Sequence, residues 1–109
     1  MAREQLQTLT EPMYFVLLAI AQQAAHGYEI MRVVEEISAK RVKVGAGTMY
    51  ALLTRFENEG IVRCIGSSGR RRTYALTDKG RGILRQEYLR LAECAKAFER
   101  VESKDAGGD

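Results

Sequence analysis

The stretch from Gly45 to Thr77 constrains the fold more than any other part of this 109-residue chain. Gly45-Ala46-Gly47-Thr48 opens a helix with small and hydroxyl residues, and Met49, Leu52, Leu53 and Phe56 then fall at the i, i+3, i+4 and i+7 positions of one helical face. Glu59-Gly60 ends that helix with a glycine suited to a left-handed cap. Ile61 to Ile65 and Arg71 to Leu76 carry β-branched and aromatic residues in partial alternation, which predicts two strands joined by the loop Gly66-Ser67-Ser68-Gly69. Arg70-Arg71-Arg72 lies at that turn. A helix running directly into a β-hairpin with a cationic tip sets the fold class as mainly α with a small β-hairpin.

The flanking segments read as helices. Thr10-Glu11-Pro12 is a helix start: a hydroxyl cap, a carboxylate facing the helix dipole, and a proline whose missing N–H costs nothing in the first turn. Met13, Val16, Leu17 and Ile20 recur at helical spacing, with Phe15 and Leu18 widening the stripe, so this helix is expected to run to about Gln22. Its breadth of apolar surface suggests burial on two sides. His26-Gly27-Tyr28 reads as a turn, after which Tyr28, Ile30, Met31, Val34 and Ile37 mark the buried face of a second helix ending near Ser38. Arg41-Val42-Lys43-Val44 is a minimal strand or an extended linker. A last helix, capped by Thr77, is expected to persist to about Val101.

Length and composition favour one domain with a small core and a partner surface. The longest apolar run, Met13 to Ala21, falls short of the roughly 20 residues a membrane-spanning helix needs and lacks the flanks of a signal peptide, so no membrane partner and a cytoplasmic location are expected. Cys64 and Cys94 lie far apart, without CxxC spacing, and His26 completes no zinc set with them. No metal and no cofactor are expected. There is also no nucleophile paired with a base, no phosphate loop and no convergent carboxylates, so enzymatic activity is not expected. The charge is segregated: residues 40 to 85 hold eleven Lys and Arg against three acidic side chains, a net of +8, leaving −5 for the rest of a chain whose total is +3. That arrangement creates a local positive field suited to a polyanion.

Helix plus basic hairpin is the layout of a winged helix-turn-helix, which points to double-stranded DNA as the partner. In such modules the second helix of the helix-turn-helix places its early residues at base edges, and its opposite side seats it on the domain. Here Thr48, Ala51, Arg55 and Asn58 lie opposite Leu53 and Phe56, with Tyr50 and Thr54 on a flank. Gly47 and its neighbours leave the helix start open to a phosphate. The expected DNA contacts are therefore Gly47, Thr48, Tyr50, Ala51, Thr54 and Arg55 on the helix and Arg70, Arg71 and Arg72 on the wing. For Tyr50 the alternative is a half-buried ring sealing the helix corner. Arg72, Tyr74 and Leu76 share one side of their strand, and Tyr74 and Leu76 are assigned to the core.

Four blocks carry a more specific signal: Leu9-Thr10-Glu11-Pro12-Met13-Tyr14-Phe15-Val16-Leu17-Leu18-Ala19, His26-Gly27-Tyr28-Glu29-Ile30, Gly45-Ala46-Gly47-Thr48-Met49-Tyr50, and Gly69-Arg70-Arg71-Arg72-Thr73-Tyr74-Ala75-Leu76-Thr77. In this order, over about residues 6 to 90, they resemble the PadR family of bacterial transcriptional regulators. The resemblance implies a winged-helix homodimer, usually a repressor, with the recognition helix in the major groove, the wing on the DNA backbone, and the C-terminal helix forming most of the dimer interface. The single short C-terminal helix resembles the smaller subgroup of that family. Some small members hold flat aromatic compounds between tryptophans at the dimer interface, and this chain has no tryptophan.

The residues also argue for a dimer by themselves. Leu84, Tyr88, Leu91, Ala95 and Phe98 are spaced 4, 3, 4, 3, the seam of a helix packed along another helix, and Cys94 falls on the same face. With Val16 and Ile20 of the first helix, these are the expected dimer contacts. A two-fold pair would place two recognition helices about one DNA turn apart, on a pseudo-palindromic operator. A small aromatic or apolar effector would enter between the first and last helices, where Tyr14, Phe15, Tyr88 and Phe98 supply rings. The expected organisation is an N-terminal arm (1–9), a winged-helix DNA-binding domain (10–77), a dimerisation helix (78–102) and a disordered tail (103–109). A winged-helix module that docks protein or RNA remains the alternative, since the fold alone does not select the partner.

Overall fold

Helix α1 spans Glu11–Gln22 and begins as its residues dictate: Thr10 Oγ1 accepts a hydrogen bond from the Met13 amide at 3.3 Å, with Glu11 in the first turn and Pro12 beside it. This computed structural model describes residues 8–107, with side chains through residue 104. After α1 come β1 (Ala25–His26), α2 (Gly27–Ile37), α3 (Ala46–Asn58), β2 (Val62–Ser68), β3 (Arg71–Leu76) and α4 (Asp78–Gly107). The expected arm 1–9 lies outside the described residues except for Thr8 and Leu9, and Leu9 is buried against the core.

The hairpin is part of a three-stranded antiparallel sheet in the order β1-β3-β2. The turn expected at His26 is instead a short strand, in which Ala25 pairs with Tyr74 and His26 with Thr73 before His26 becomes the residue preceding α2. The expected four-residue loop also contracts. Gly66, Ser67 and Ser68 pair with Thr73, Arg72 and Arg71, leaving a two-residue turn at Gly69 and Arg70. Gly69 supplies the positive φ of 62° that this turn requires. A shift in register between Cys64 and Gly66 marks a bulge at Ile65. Ladder hydrogen bonds carry strand structure through residues of low strand propensity, because the unpaired backbone groups would otherwise need other partners.

The core is built around α1. Val16 and Leu17 are fully buried among Ile30 and Val34 of α2, Met49, Leu53 and Phe56 of α3, and Ile61, Val62, Tyr74 and Leu76 of the sheet region. This corrects two expected dimer contacts: Val16 and Ile20 are 0% and 3% exposed within their own chain and present nothing to a partner. The wide apolar stripe of α1 is covered by α2, β3 and α4 of the same chain. A second correction concerns Tyr28, which is 76% exposed, because the buried face of α2 runs through Gly27, Ile30, Val33 and Val34.

Two polar junctions fix how the elements meet. Arg41 to Val44 is the extended linker rather than a strand, with Val42 and Val44 buried. It is reached through Ala39 and Lys40, both in the left-handed region with φ of 54° and 66°, and it is secured by buried Ser38, whose Oγ accepts from the Val42 amide at 3.0 Å. At the other junction Thr77 Oγ1 donates to the Gly60 carbonyl at 2.6 Å and accepts from the Gly80 amide at 3.0 Å. That one hydroxyl joins the end of α3, the end of β3 and the start of α4. Helix α4 continues past the expected Val101 to Gly107, through most of the segment expected to be disordered; residues 108 and 109 lie outside the described residues.

Candidate nucleic-acid interface

α3 separates its two sides as the spacing predicts. Met49, Leu53 and Phe56 are buried, while Gly47, Thr48, Tyr50, Ala51, Thr54, Arg55 and Asn58 are exposed. A β-carbon built on Gly45 or Gly47 would meet nothing within 4 Å, so the amide end of α3 opens directly to solvent. Tyr50 is 63% exposed, which removes the reading of a half-buried sealing ring. Arg55 is not a free cation: its Nε donates to Glu59 Oε2 at 3.0 Å, one helical turn on.

The wing stands beside this face. Tyr50 and Thr54 of α3, Arg70, Arg71, Arg72 and Tyr74 of the hairpin, and His26, Gly27 and Tyr28 at the head of α2 line one groove of about 490 Å³. The three arginines differ. Among the described residues Arg70 and Arg71 make no ion pair, whereas Arg72 Nη2 lies 3.1 Å from Glu57 Oε2 and its guanidinium sits 5.7 Å from the centre of the Tyr74 ring. The Cys64 thiol, which donates to the Gly66 carbonyl at 3.2 Å, is held below its usual pKa by the neighbouring Arg72 guanidinium. Burial pushes the Tyr74 hydroxyl upward.

Sequence reasoning did not place His26, Gly27, Tyr28, Tyr74 or Glu57 at this surface. Counting the period of α2 from Gly27, Ile30 and Val34 would have placed Tyr28 outside the core face. No sequence signal links Glu57 to Arg72, fifteen residues away and in another element. His26 Nε2 lies 3.9 Å from Glu29 Oε1.

A second concavity, of about 320 Å³, lies where Leu9, Glu11, Tyr14 and Phe15 meet Arg41 and the α4 residues Glu87, Arg90 and Leu91. Tyr14 and Phe15 pack edge to face, 5.9 Å between centroids. Of the expected effector residues, Tyr14 and Phe15 line this space; Tyr88 and Phe98 are exposed on α4 and do not. Glu87 was not anticipated. It is 3% exposed and pairs with Arg90, whose guanidinium, with the Leu9 amide nearby, holds its carboxyl below the usual range. Leu84 packs against the core, while Tyr88, Leu91, Ala95, Phe98 and Val101 leave an exposed, largely apolar stripe on α4.

A helix-turn-helix with an adjacent cationic wing and a long C-terminal helix is the architecture of winged-helix transcription regulators. The chain matches the transcriptional regulator PadR-like family over residues 16–86 and belongs to that family. A PadR family transcription regulator from Clostridium difficile superimposes with a TM-score of 0.71 at 20% identity, over 84% of this chain and 98% of that one. The RosR structure from H. salinarum gives a TM-score of 0.64 at 24% identity, covering 93% and 96% of the two chains. These two likenesses concern the fold. An uncharacterized 37.1 kDa protein of transposon TN4556 from Streptomyces fradiae is 36% identical over 85 residues, 77% of this chain. This chain spans about a quarter of that relative's length, 24%. Among the described residues no helix is long and apolar enough to cross a membrane.

Proposed function

We propose that this chain is a sequence-specific, dimeric regulator, acting in the cytoplasm as a repressor on a pseudo-palindromic operator. The observation that carries this reading is the groove shared by α3 and the wing. It brings Tyr50 and Thr54 beside Arg70 and Arg71, two guanidinium groups with no ion pair among the described residues. Thr48, Ala51 and Arg55 face base edges in the major groove, and Gly47 lets a phosphate approach the amide end of α3. Arg70 and Arg71 neutralise backbone phosphates, and Tyr28 and Tyr50 add hydroxyl contacts. Pairing across the exposed stripe of α4 supplies the two-fold axis. At 30 residues α4 reaches about 45 Å, long enough to extend beyond its own domain.

Selection from random duplexes tests operator reading: recovery of an inverted repeat with half-sites about one turn apart is expected. A titration of the recovered duplex from about 50 to 200 mM salt should show affinity falling steeply. Arg70→Ala and Arg71→Ala should each weaken all duplexes alike and flatten that dependence, whereas Arg55→Ala should change base preference at one position of each half-site. Failure to enrich any duplex, with binding indifferent to salt, would favour the protein-docking reading instead. The concavity between Leu9, Tyr14, Phe15 and Leu91 is the place for a small apolar or aromatic effector; its 320 Å³ lies at the lower end of small-molecule sites.

A further inference from the structure

We propose that Glu57 is a positioning residue for DNA recognition: acting through Arg72, its carboxylate holds the distal wing against α3. This rests on the reading that DNA occupies the groove between those elements. A carboxylate facing a polyanion weakens binding by Coulomb repulsion, so an acidic side chain beside this cationic surface calls for a compensating role. Glu57 and Arg72 come from different elements, and Arg72 is gripped from two sides: by the Glu57 carboxylate at 3.1 Å and by the face of the Tyr74 ring, 5.7 Å from its centre. Those partners belong to α3 and β3. The Arg55–Glu59 pair, by contrast, stays within one helical segment and ties nothing together.

The level of the contact along the hairpin gives it leverage. Other polar ties between α3 and the hairpin lie at its base, where the Ile61 amide donates to the Phe56 carbonyl at 2.8 Å and Thr77 binds the Gly60 and Ile61 carbonyls. Arg72 instead pairs with Ser67, beyond the bulge at Ile65 and next to the turn. Past that bulge the ribbon is built from Gly66, Ser67 and Ser68, whose side chains bury no core. Glu57 therefore sets the angle at which Arg70 and Arg71 stand relative to Thr48, Ala51 and Arg55. In this arrangement Arg72 is a strut and its two neighbours are the phosphate ligands.

The test compares the duplex recovered by selection with a shuffled duplex of equal length. If Glu57 positions the wing, Glu57→Gln lowers affinity for the selected duplex by about fivefold, the upper scale of one exposed ion pair, and leaves or tightens binding to the shuffled one. Its salt dependence stays unchanged because no phosphate contact is lost. Exchanging the charges, Glu57→Arg with Arg72→Glu, restores discrimination relative to either single change. If Glu57→Gln tightens both duplexes equally, or moves neither, the carboxylate is only a repulsive charge and the proposal fails. It also fails if Arg72→Ala flattens the salt dependence as much as Arg70→Ala does. A parent protein that binds neither duplex overturns the DNA reading itself, an outcome distinct from these.

Discussion

A β-carbon placed on Gly80 would overlap the Ile61 carbonyl oxygen. The first turn of α4 rests directly on the backbone where α3 gives way to the sheet, and that carbonyl already accepts the Thr77 amide at 3.0 Å. Neither side can yield without moving the junction that Thr77 holds. Gly80→Ala should therefore destabilise the protein by at least the upper part of the about 1–3 kcal/mol typical of overpacking. For a domain of this size a melting temperature lower by more than about 8 °C is expected. Gly82→Ala is the control in the same helix, since a β-carbon there meets nothing within 4 Å.

Ser38→Ala should loosen the linker that delivers α3. The Ser38 hydroxyl is the partner of the buried Val42 amide, and its loss leaves that donor without a bond, a change of about 1–3 kcal/mol. Faster amide exchange at Val42 than at residues of α1, together with a lower denaturation midpoint, would be the signature.

Glu87 makes stability depend on acid pH with a definite sign. Its folded carboxyl titrates below the unfolded value, through Arg90 and the Leu9 amide, so its contribution is complete above the unfolded pKa of about 4.3 and is lost as pH falls through the folded pKa. Glu87→Gln should be less stable than the parent near neutrality, and the two stability curves should converge as pH drops below that range. Parallel urea titrations from pH 7 downward would reveal the convergence.

Phe98→Asp isolates dimerisation from folding. Phe98 is 63% exposed within its own chain, so a charge there disturbs no intrachain core, while in a two-fold pair it would be buried and unpaired. An unchanged far-ultraviolet spectrum, monomeric mass by light scattering and loss of operator binding are expected. Leu91→Asp should act in the same direction, with some added loss of stability because Leu91 also walls the space beside Tyr14 and Phe15.

Much of the chain was legible because its signals are local. Thr10, Gly60 and Thr77 act at helix ends within a few residues of where they stand, and the 3.6-residue spacing of Met49, Leu53 and Phe56 identifies the seated face of α3 whatever lies beneath it. The exposed side of α3 followed as the complement of that face. Errors arose where the competing interaction was distant. His26 is strand rather than turn because Thr73 of β3 pairs with it, and the serines after the bulge are strand because β3 runs alongside them.

The amino-acid order by itself determined which helices form, where the first three stop, which side of α3 is polar and where positive charge accumulates, since each depends on short-range periodicity, capping chemistry or simple charge counting. Only the tertiary structure decided which apolar groups remain for a partner and which arginines remain free. Val16 and Ile20 were taken up by the chain's own core, and Arg72 was claimed by Glu57 and Tyr74 while Arg70 and Arg71 make no ion pair among the described residues. The physical reason is common to both cases: a side chain's availability is what remains after its neighbours in space have bound it, and those neighbours come from other elements.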